Sequence, residues 1–309
     1  MLSIVVPLWN ERDSLESFYQ KLSEHVKKRQ HEIIFVDDGS TDGGYEILIG
    51  LQKQDPNIRV LRLRRNQGKS LALSIGFARA RGDIIITMDA DLQDDPKEIP
   101  RFIEKIEEGF DLVSGWKLIR KDPREKIIAS KIFNYLVSFF SGVKLHDFNC
   151  GFKAYRREVI KTIPLHGGFH RLIPVLANEY GFSITEIKVD HHPRLYGKSK
   201  FGYSRYIKGI FDLFTVLSLV KHSRRPMHII GILSLINIFF GFLLVGYAGF
   251  MKFVLEGTGM RPSLFLGLFL ATVGILIMLS GFIAELILYN YHAKKENHDA
   301  YLLVDDKKT

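Results

Sequence analysis

The segment of this chain best suited to chemistry holds four aspartates within seven residues: Asp89, Asp91, Asp94 and Asp95. It follows residues 83–87, an apolar run typical of a buried strand. Carboxylates so close together repel one another, and a bound cation would offset their charge. Asp89, Asp91 and the amide oxygen of Gln93 are ligands that Mg2+ or Mn2+ accepts, with water and a substrate diphosphate completing the shell. An acidic first turn for a helix beginning near Pro96 is the alternative interpretation.

Nine elements must position this segment, because residues 1–115 alternate predicted strands and helices. The predicted strands are 3–8, 31–36, 60–63, 84–88 and 111–115, and the predicted helices are 11–29, 45–55, 70–81 and 97–108. This alternation predicts an α/β fold with a doubly wound, mainly parallel sheet, whose ligands bind beyond the carboxyl ends of the strands. Polar clusters follow four of the strands: 10–11, 37–40, 65–69 and 89–91. We therefore expect one site at that edge of the sheet.

The C-terminal third of the chain has a different composition. Residues 229–251 carry no ionisable side chain apart from Tyr247, and residues 263–284 are equally apolar. Each run is long enough to cross a bilayer as a helix, and a buried helix of a soluble protein rarely stays apolar on all faces. The sequence predicts a transmembrane two-helix hairpin over 227–292 and a tail over 293–309.

Charge next to the hairpin predicts its orientation. Basic side chains lie on the side of both termini: His222, Arg224, Arg225, Lys294 and Lys295. The loop between the spans carries only Lys252, Glu256 and Arg261. By the positive-inside tendency both termini and the catalytic domain are cytoplasmic, in an integral protein that we expect in a bacterial inner membrane. The net charge of +9 suits anionic lipid and phosphate substrates, and with no clustered recognition element we expect no nucleic acid partner.

Two further stretches have the periodicity of amphipathic helices, residues 126–141 and residues 203–221. A core helix is one interpretation of the second stretch, but its position just before a membrane span favours an interfacial helix. The sequence thus predicts a catalytic domain over 1–202 and a juxtamembrane amphipathic region over 203–226. The single cysteine, Cys150, cannot form an internal disulfide and agrees with a reducing compartment.

Taken together, these pieces resemble the family 2 glycosyltransferases with the GT-A fold. More narrowly, the chain resembles the polyprenyl-phosphate glycosyltransferases, which include dolichol-phosphate mannose synthases and bacterial polyprenyl-phosphate glucosyltransferases. The matching segments are 5–11, 36–42, 65–69, 88–93, 149–153 and 194–200. The resemblance covers residues 1–225, and the paired membrane spans also fit it. A Gln-x-x-Arg-Trp segment, which marks processive polysaccharide synthases of this superfamily, is absent from the sequence, which favours transfer of a single sugar.

The resemblance implies a donor site. Pro7 and Glu11 would line the base and ribose pocket, and Asp38 would hydrogen bond to the base. The segment around Asp38 has an alternative interpretation as a strand-to-helix turn with an N-cap. The predicted metal ligands match family positions that hold the metal against the donor diphosphate: Asp89, Asp91 and Gln93. Lys69 either approaches a phosphate or merely begins a helix.

On the acceptor side, the resemblance implies catalytic importance for Asp147, alongside Asp91. A lipid phosphate, with a second pKa of about 6, is already largely anionic near neutral pH and hardly needs a general base. Asp147 therefore acts either as a base or as a group that orients the acceptor or a basic side chain. The alternative is that it caps the turn before Asn149.

Several cations are candidate phosphate ligands. Arg194, Lys198 and Lys200 lie in a glycine-containing loop after His191-His192, and such a loop can close over phosphates. A solvated run of charge is the alternative. Further candidates are Lys117 and Arg120. The adjacent histidines alone are weak evidence for a metal site.

These residues predict a membrane-anchored, inverting, metal-dependent glycosyltransferase. It would move one hexose from a nucleotide sugar, with UDP-glucose as the expected donor, to polyprenyl (undecaprenyl) phosphate on the cytoplasmic leaflet. One alternative is an enzyme acting on a sugar or glycolipid hydroxyl, and another is a non-catalytic scaffold that binds nucleotide sugars. The resemblance also implies a homo-oligomer. Small residues that could pack the membrane helices within or between protomers are Gly267, Ala271 and Gly274.

Overall fold

The structure, a computed structural model, describes residues 1–117, 124–163, 165, 168–193, 215, 226–254 and 262–305. The chain divides into two compact units, residues 1–217 and 218–309. The predicted juxtamembrane region over 203–226 falls almost entirely outside the described residues, so its helix stays a prediction.

The first unit contains a seven-stranded sheet. Its strands are β1 Leu2–Leu8, β2 His31–Asp37, β3 Ile58–Arg62, β4 Ile84–Thr87, β5 Leu112–Lys117, β6 Lys153–Arg156 and β7 Ile184–Val189. The strand order is β3-β2-β1-β4-β6-β5-β7. β6 runs antiparallel to both of its neighbours, β4 and β5, and every other pairing is parallel. The predicted mainly parallel α/β fold is therefore confirmed.

Helices connect these strands and cover the sheet. They are α1 Leu15–Val26, α2 Gly44–Gln54, α3 Lys69–Arg79, α4 Ile99–Glu107, α5 Arg124–Ser141, α6 Arg157–Thr162 and α7 Ile173–Glu179. β1 and β2 are buried on both faces, as strands between two helical layers must be. Their apolar side chains pack with α1 and α4 into one core, in which Phe18 meets Phe35 edge to face.

The sequence pattern missed β6 and β7. β6 has only four residues and includes the charged Lys153 and Arg156, so it lacks a strand-like apolar alternation. β7 has a charged pair within its six residues, Glu186 and Lys188, and an edge position that tolerates them. The predicted helix over 11–29 is also divided, since a 3-10 turn at Arg12–Ser14 precedes α1.

Helix α5 carries apolar side chains on two faces. Phe133 and Val137 are buried. A second set is exposed at helical spacing: Ile128, Ile132, Tyr135 and Phe139. An apolar stripe left in solvent is unusual for a helix of a soluble protein and marks a surface suited to a membrane or a partner.

The second unit is a helical hairpin of α8 Pro226–Val254 and α9 Pro262–Asp305. The segments Ile230–Val254 and Pro262–Ile287 are long and apolar enough to cross a membrane, by length and composition. The two helices touch at small residues: a Cβ on Gly241 would lie 2.6 Å from the backbone nitrogen of Ala271, and one on Gly267 would lie 2.8 Å from the carbonyl oxygen of Gly241. The small residues predicted to pack helices thus do so within one hairpin.

Candidate active site

The loops that follow β1 and β2 are joined by hydrogen bonds to backbone groups. The Asn10 N–H donates to Ser40 Oγ at 2.9 Å, and the Thr41 N–H donates to Asn10 Oδ1 at 2.8 Å. Two residues further along, the Arg12 N–H donates to Asp42 Oδ2 at 2.9 Å. Asn10 adopts φ 53°, a left-handed conformation that asparagine tolerates better than most residues. These bonds hold the two predicted nucleotide-binding loops as one unit.

Asp38 connects the second loop to the third. Its two carboxylate oxygens accept the N–H groups of Gln67 and Gly68 at 2.7 and 2.8 Å. Burial raises the pKa of Asp38, and these two N–H donors oppose part of that rise. Next to it, Gly39 has φ +70°, and a Cβ there would lie 2.6 Å from the backbone carbon of Arg65. Asp38 therefore fixes the loop before α3, and its predicted bond to the base stays a prediction.

The other two predicted nucleotide residues lie on the same side of the sheet. Pro7 is buried in β1 opposite Val36, and the Glu11 carbonyl oxygen accepts the Ser14 N–H at 3.1 Å. A cleft of about 380 Å3 lies at the loops that follow β2 and β3, lined by Gly39, Ser40, Thr41, Arg62, Leu63 and Arg64. Its arginine Arg62 stacks on the Tyr45 ring at 4.3 Å and donates to the Ser40 carbonyl oxygen. The cleft offers a polar wall and an open entrance next to the base-binding candidates.

The third and fourth loops meet through charge. Lys69, the first residue of α3, pairs its ammonium with Oδ1 of Asp89. Burial opposes ionisation of Asp89. The positive charge of Lys69, with smaller contributions from Lys117 and Lys153, outweighs burial and lowers the pKa of Asp89. Gly151 packs against this pair so closely that a Cβ would lie 2.6 Å from Asp89 Oδ2 and 3.0 Å from Lys69 Nζ. The predicted phosphate ligand and metal ligand therefore lie in direct contact.

A second pair joins the acidic segment to β5. Lys117 Nζ lies 2.9 Å from Oδ1 of Asp94, which is fully buried. Burial opposes the charge on Lys117, but Asp94 outweighs it and raises the pKa of Lys117. Lys117 was predicted as a phosphate ligand; here it neutralises a carboxylate of the acidic segment, and phosphate binding by it stays a prediction.

The remaining part of the acidic segment lies against the chain after β7. Asp91 is buried, and its Oδ1 accepts the Gln93 N–H at 3.2 Å, while the Gln93 carbonyl oxygen accepts the His192 N–H at 2.9 Å. The backbone of Asp94 also forms an isolated antiparallel β-bridge with that of His191. The two histidines thus border the acidic segment immediately before the predicted basic loop. Arg194, Lys198 and Lys200 of that loop, and Arg120, lie outside the described residues.

Asp147 lies in a buried turn that several elements hold. Its Oδ1 accepts the Asn149 N–H at 3.0 Å, as the capping interpretation predicted, and its own carbonyl oxygen accepts Ser114 Oγ of β5 at 3.4 Å. From α5, the Asn134 amide donates to the His146 carbonyl oxygen at 2.8 Å. A cap is compatible with a further role, so the predicted catalytic importance of Asp147 stays a prediction.

The sequence interpretation overlooked Lys153, although it lies inside a motif of the resemblance. The Lys153 ammonium is buried and donates to the carbonyl oxygens of Phe148, at 3.2 Å, and Cys150. Burial lowers the pKa of Lys153 and raises that of the Cys150 thiol to about 12. Nothing in the local sequence around Lys153 indicates that its side chain will donate to the turn that contains Phe148 and Cys150. Only the antiparallel pairing of β6 with β4 and β5 places it there.

A divalent cation fits the donor set, although the described part of the chain has no group of three or more Asp, Glu, His or Cys placed to hold one. Mg2+ needs only one or two carboxylates when water and substrate phosphates complete its shell. Asp89 already holds a cation, the Lys69 ammonium, which stands where a metal would neutralise that carboxylate. Asp89 and Asp91, with the Gln93 amide, are thus the residues that would hold the metal.

The comparisons with known proteins agree with this geometry. Residues 3–163 match the family model for glycosyl transferase family 2. Dodecaprenyl-phosphate galacturonate synthase of Rhizobium johnstonii is 38% identical over 302 residues, which cover 94% of this chain and 88% of that protein. Undecaprenyl-phosphate 4-deoxy-4-formamido-L-arabinose transferase of Photorhabdus laumondii is 31% identical, over 100% of this chain and 95% of its own length.

A solved structure shares the fold. Glucosyl-3-phosphoglycerate synthase of Mycobacterium tuberculosis, determined with Mn2+, UDP-glucose and phosphoglyceric acid, has a TM-score of 0.57 and 21% identity. The likeness covers 71% of this chain and 80% of that one, and at such identity it shows the fold alone. The match to the family model and the identity with curated relatives over almost the whole chain go further. The chain therefore belongs to glycosyl transferase family 2 and is a glycosyltransferase.

Proposed function

We propose that this enzyme transfers one sugar, with inversion, from a nucleotide sugar to a polyprenyl phosphate at the cytoplasmic face of a membrane. One observation carries the proposal: a continuous series of contacts links the loops after β1, β2, β3 and β4 into a single surface at the carboxyl edge. The links are Asn10 to Ser40, Asp38 to Gly68, and Lys69 to Asp89. A nucleoside diphosphate fits such a surface, with its base near Asn10 and Asp38 and its phosphates near Lys69 and Asp89.

The reaction is an in-line displacement at the anomeric carbon. An oxygen of the acceptor phosphate forms the new bond to that carbon, while the bond to the donor diphosphate breaks and the nucleoside diphosphate leaves with the electron pair. Asp89 and Asp91 would hold a divalent cation, which when bound would neutralise the charge that develops on the leaving diphosphate. The rigid loops around Asp38 hold the donor in line, and orientation of this kind is a large part of catalysis. Asp147 orients the acceptor phosphate or a basic side chain near it.

The acceptor class follows from the relatives and from the apolar surfaces. The two curated relatives are named for dodecaprenyl and undecaprenyl phosphate. This chain has a hairpin long and apolar enough to cross a membrane and an exposed apolar stripe on α5 that suits a lipid surface. Both features favour an acceptor that is presented at the surface of a bilayer.

The identity of the sugar is the open part of the proposal. UDP-glucose remains the donor expected from the sequence, whereas the relatives are named for galacturonate and a formamido-arabinose. Selectivity for sugar hydroxyl, carboxylate or amide groups depends on a few hydrogen bonds in the donor pocket. A donor panel must therefore contain all three sugars.

A transfer assay tests the function directly. The full-length protein in detergent is mixed with undecaprenyl phosphate, Mg2+ or Mn2+, and radiolabelled UDP-glucose, UDP-galacturonate or the UDP-linked formamido sugar, and lipid is extracted. We expect labelled lipid with one donor and none after EDTA treatment. Donor binding without any labelled lipid would favour another acceptor or the non-catalytic scaffold instead.

Asp147 distinguishes the phosphate acceptor from a hydroxyl acceptor. Asn in its place keeps an oxygen for the Asn149 N–H but cannot take a proton. With a phosphate acceptor, Asp147→Asn should retain activity within about a hundredfold, because the nucleophile is already ionised. A hydroxyl acceptor requires a base, and Asp147→Asn would then abolish turnover.

Cysteine labelling tests the proposed orientation, with both termini cytoplasmic. The native Cys150 is buried and gives little background. Thr258→Cys, in the loop between the two apolar helices, should react with a membrane-impermeant maleimide on intact cells. Thr309→Cys should react only after the cells are lysed. The reverse pattern would disprove the orientation.

A further inference from the structure

The acidic segment is neutralised by side chains of the protein itself. Asp89 pairs with Lys69 and Asp94 with Lys117. Asp95 Oδ2 lies 3.4 Å from Lys97 Nζ and 3.2 Å from the imidazole Nε2 of His192. Asp89, Asp94 and Asp95 therefore each have a basic partner before any metal binds, so the crowding of carboxylates does not by itself require a metal. A metal that binds Asp89 must compete with Lys69.

We infer that Lys69 is an exchangeable internal cation: it leaves Asp89 when a divalent cation binds there, and its freed ammonium then binds a phosphate of the donor. The inference rests on the proposed function for the identity of that phosphate. Lys69 then has two alternating anionic partners, the Asp89 carboxylate and a donor phosphate. This alternation couples the binding of the metal to the binding of the nucleoside diphosphate.

Lys69 differs from its neighbour Lys117 in its freedom to move. The Lys69 and Asp89 side chains are 25% and 33% exposed, whereas those of Lys117 and Asp94 are 13% and 0% exposed. Water can therefore solvate the Lys69 ammonium as it leaves its partner, but an ammonium leaving Asp94 would abandon a buried carboxylate. Of these two lysines, Lys69 is therefore the one that can leave its carboxylate for another anion.

The backbone on either side of Lys69 is held by hydrogen bonds, while its side chain is partly exposed to solvent. Before it, the Gly68 N–H donates to Asp38 Oδ2 at 2.8 Å. After it, Ser70 Oγ contacts His170 Nδ1 at 2.8 Å and accepts the His170 N–H at 3.1 Å. Gly151 presents no side chain to the ammonium. A four-carbon stem on a fixed backbone can move its charge between two anions without moving the loop.

Titration with Mn2+ alone tests the competition. Free Mn2+ is measured by electron paramagnetic resonance with full-length protein in detergent, without nucleotide. Lys69→Met removes the competing cation and should bind Mn2+ at least about threefold more tightly than wild type. Lys69→Arg keeps a cation and should bind like wild type, which also guards against an effect of misfolding.

Lys97→Met is the matched control, because Lys97 belongs to the same acidic segment but pairs with Asp95 and Asp190. It removes one positive charge from the region without uncovering Asp89, and should change Mn2+ affinity by less than about twofold. Equal tightening in Lys97→Met and Lys69→Met would overturn the inference, since a general loss of charge would then explain both.

Binding of UDP at saturating Mn2+ tests the second half. Lys69→Met should bind UDP about tenfold more weakly, because a phosphate loses its charge-assisted partner. We expect Lys69→Met to bind Mn2+ more tightly and UDP more weakly than wild type. A structural defect would instead weaken the binding of both. Wild-type or weaker Mn2+ affinity in Lys69→Met, or unchanged UDP affinity, would overturn the inference. Lipid glycosylation by the wild type would still stand in that case, since the transfer assay is independent of this titration.

Discussion

The two ends of the carboxyl edge are held together by different interactions. At the nucleotide end, side-chain oxygens of Asn10 and Asp38 accept backbone N–H groups of neighbouring loops. At the acidic end, ammonium groups pair with carboxylates, as Lys69 does with Asp89. The hydrogen bonds of Asn10 and Asp38 join groups that both belong to the chain's own loops, whereas a carboxylate can exchange an ammonium group for a metal ion. Under the proposed function, we therefore expect the nucleotide end to be preformed and the acidic end to change its partners when a metal and a phosphate bind.

The largest expected effect comes from removing a metal ligand at the acidic end. Asp91→Ala should retain the fold and lower transfer of sugar to lipid by at least about a hundredfold, because the leaving diphosphate loses its neutralising cation. The lipid-extraction assay measures the loss, and circular dichroism checks the fold. Unchanged activity would disprove the assignment of Asp91 to a metal site.

The buried ion pair of Lys117 and Asp94, at the same end, should matter for the stability of the fold rather than for ligand binding. Asp94→Asn leaves the Lys117 ammonium without its carboxylate in a buried position, and should lower the free energy of unfolding by about 3 kcal/mol. Replacing Lys117 by Met in the same chain removes the stranded charge and should restore most of the loss. Trp116 directly precedes Lys117 in the chain and stacks on His146, so tryptophan fluorescence can report unfolding in urea. A double variant no more stable than Asp94→Asn would argue against the ion pair as the cause.

A smaller effect is expected at the nucleotide end. Asp38→Asn keeps one acceptor oxygen but points an NH2 group at one of the two N–H donors, so the loop loses one hydrogen bond. The free energy of unfolding should fall by about 1–2 kcal/mol, and the KM for the donor should rise with little change in kcat. Steady-state kinetics in the lipid assay measure both. An effect on kcat alone would break the distinction between a preformed nucleotide end and a responsive acidic end.

The smallest effect concerns Cys150, which lies beneath the turn that carries Asp147. Because its pKa is raised from 9.0 to about 12, the native thiol stays protonated and should resist iodoacetamide at pH 8. A raised pKa in the folded state contributes stability that is complete below pH 9 and is lost as the pH rises towards 12. Mass spectrometry should find alkylation only after denaturation. Rapid labelling of the native protein would show that the turn opens in solution.

Much of this organisation was predictable from local sequence. The alternation of apolar strands and amphipathic helices before residue 115 identified β1 to β5, and the polar segments that end those strands identified the edge where they meet. The two apolar runs identified α8 and α9 in the same way. Such features depend on residues that are near one another in the chain, so a pattern read along the chain contains them.

The partners of the charged side chains were not predictable in this way. Lys69, Lys117 and Lys153 looked alike in sequence, as cations near polar segments. The structure gives each a different neighbour, because strand order brings together residues distant in sequence, such as Ile84 of β4 and Arg156 of β6. β6 itself is too short to show a pattern, and its antiparallel insertion between β4 and β5 places Lys153 beneath the turn.

The sequence by itself determined the chemistry available to this protein: a carboxylate-rich segment after a buried strand, polar loops at one edge of an α/β sheet, and an apolar hairpin. Those properties follow from residue type and from short periodicities. Only the tertiary structure decided which carboxylate meets which cation, and that the Lys69 side chain is more exposed than that of Lys117. Pairing and burial depend on strand order and on contacts distant in sequence, which no local pattern encodes.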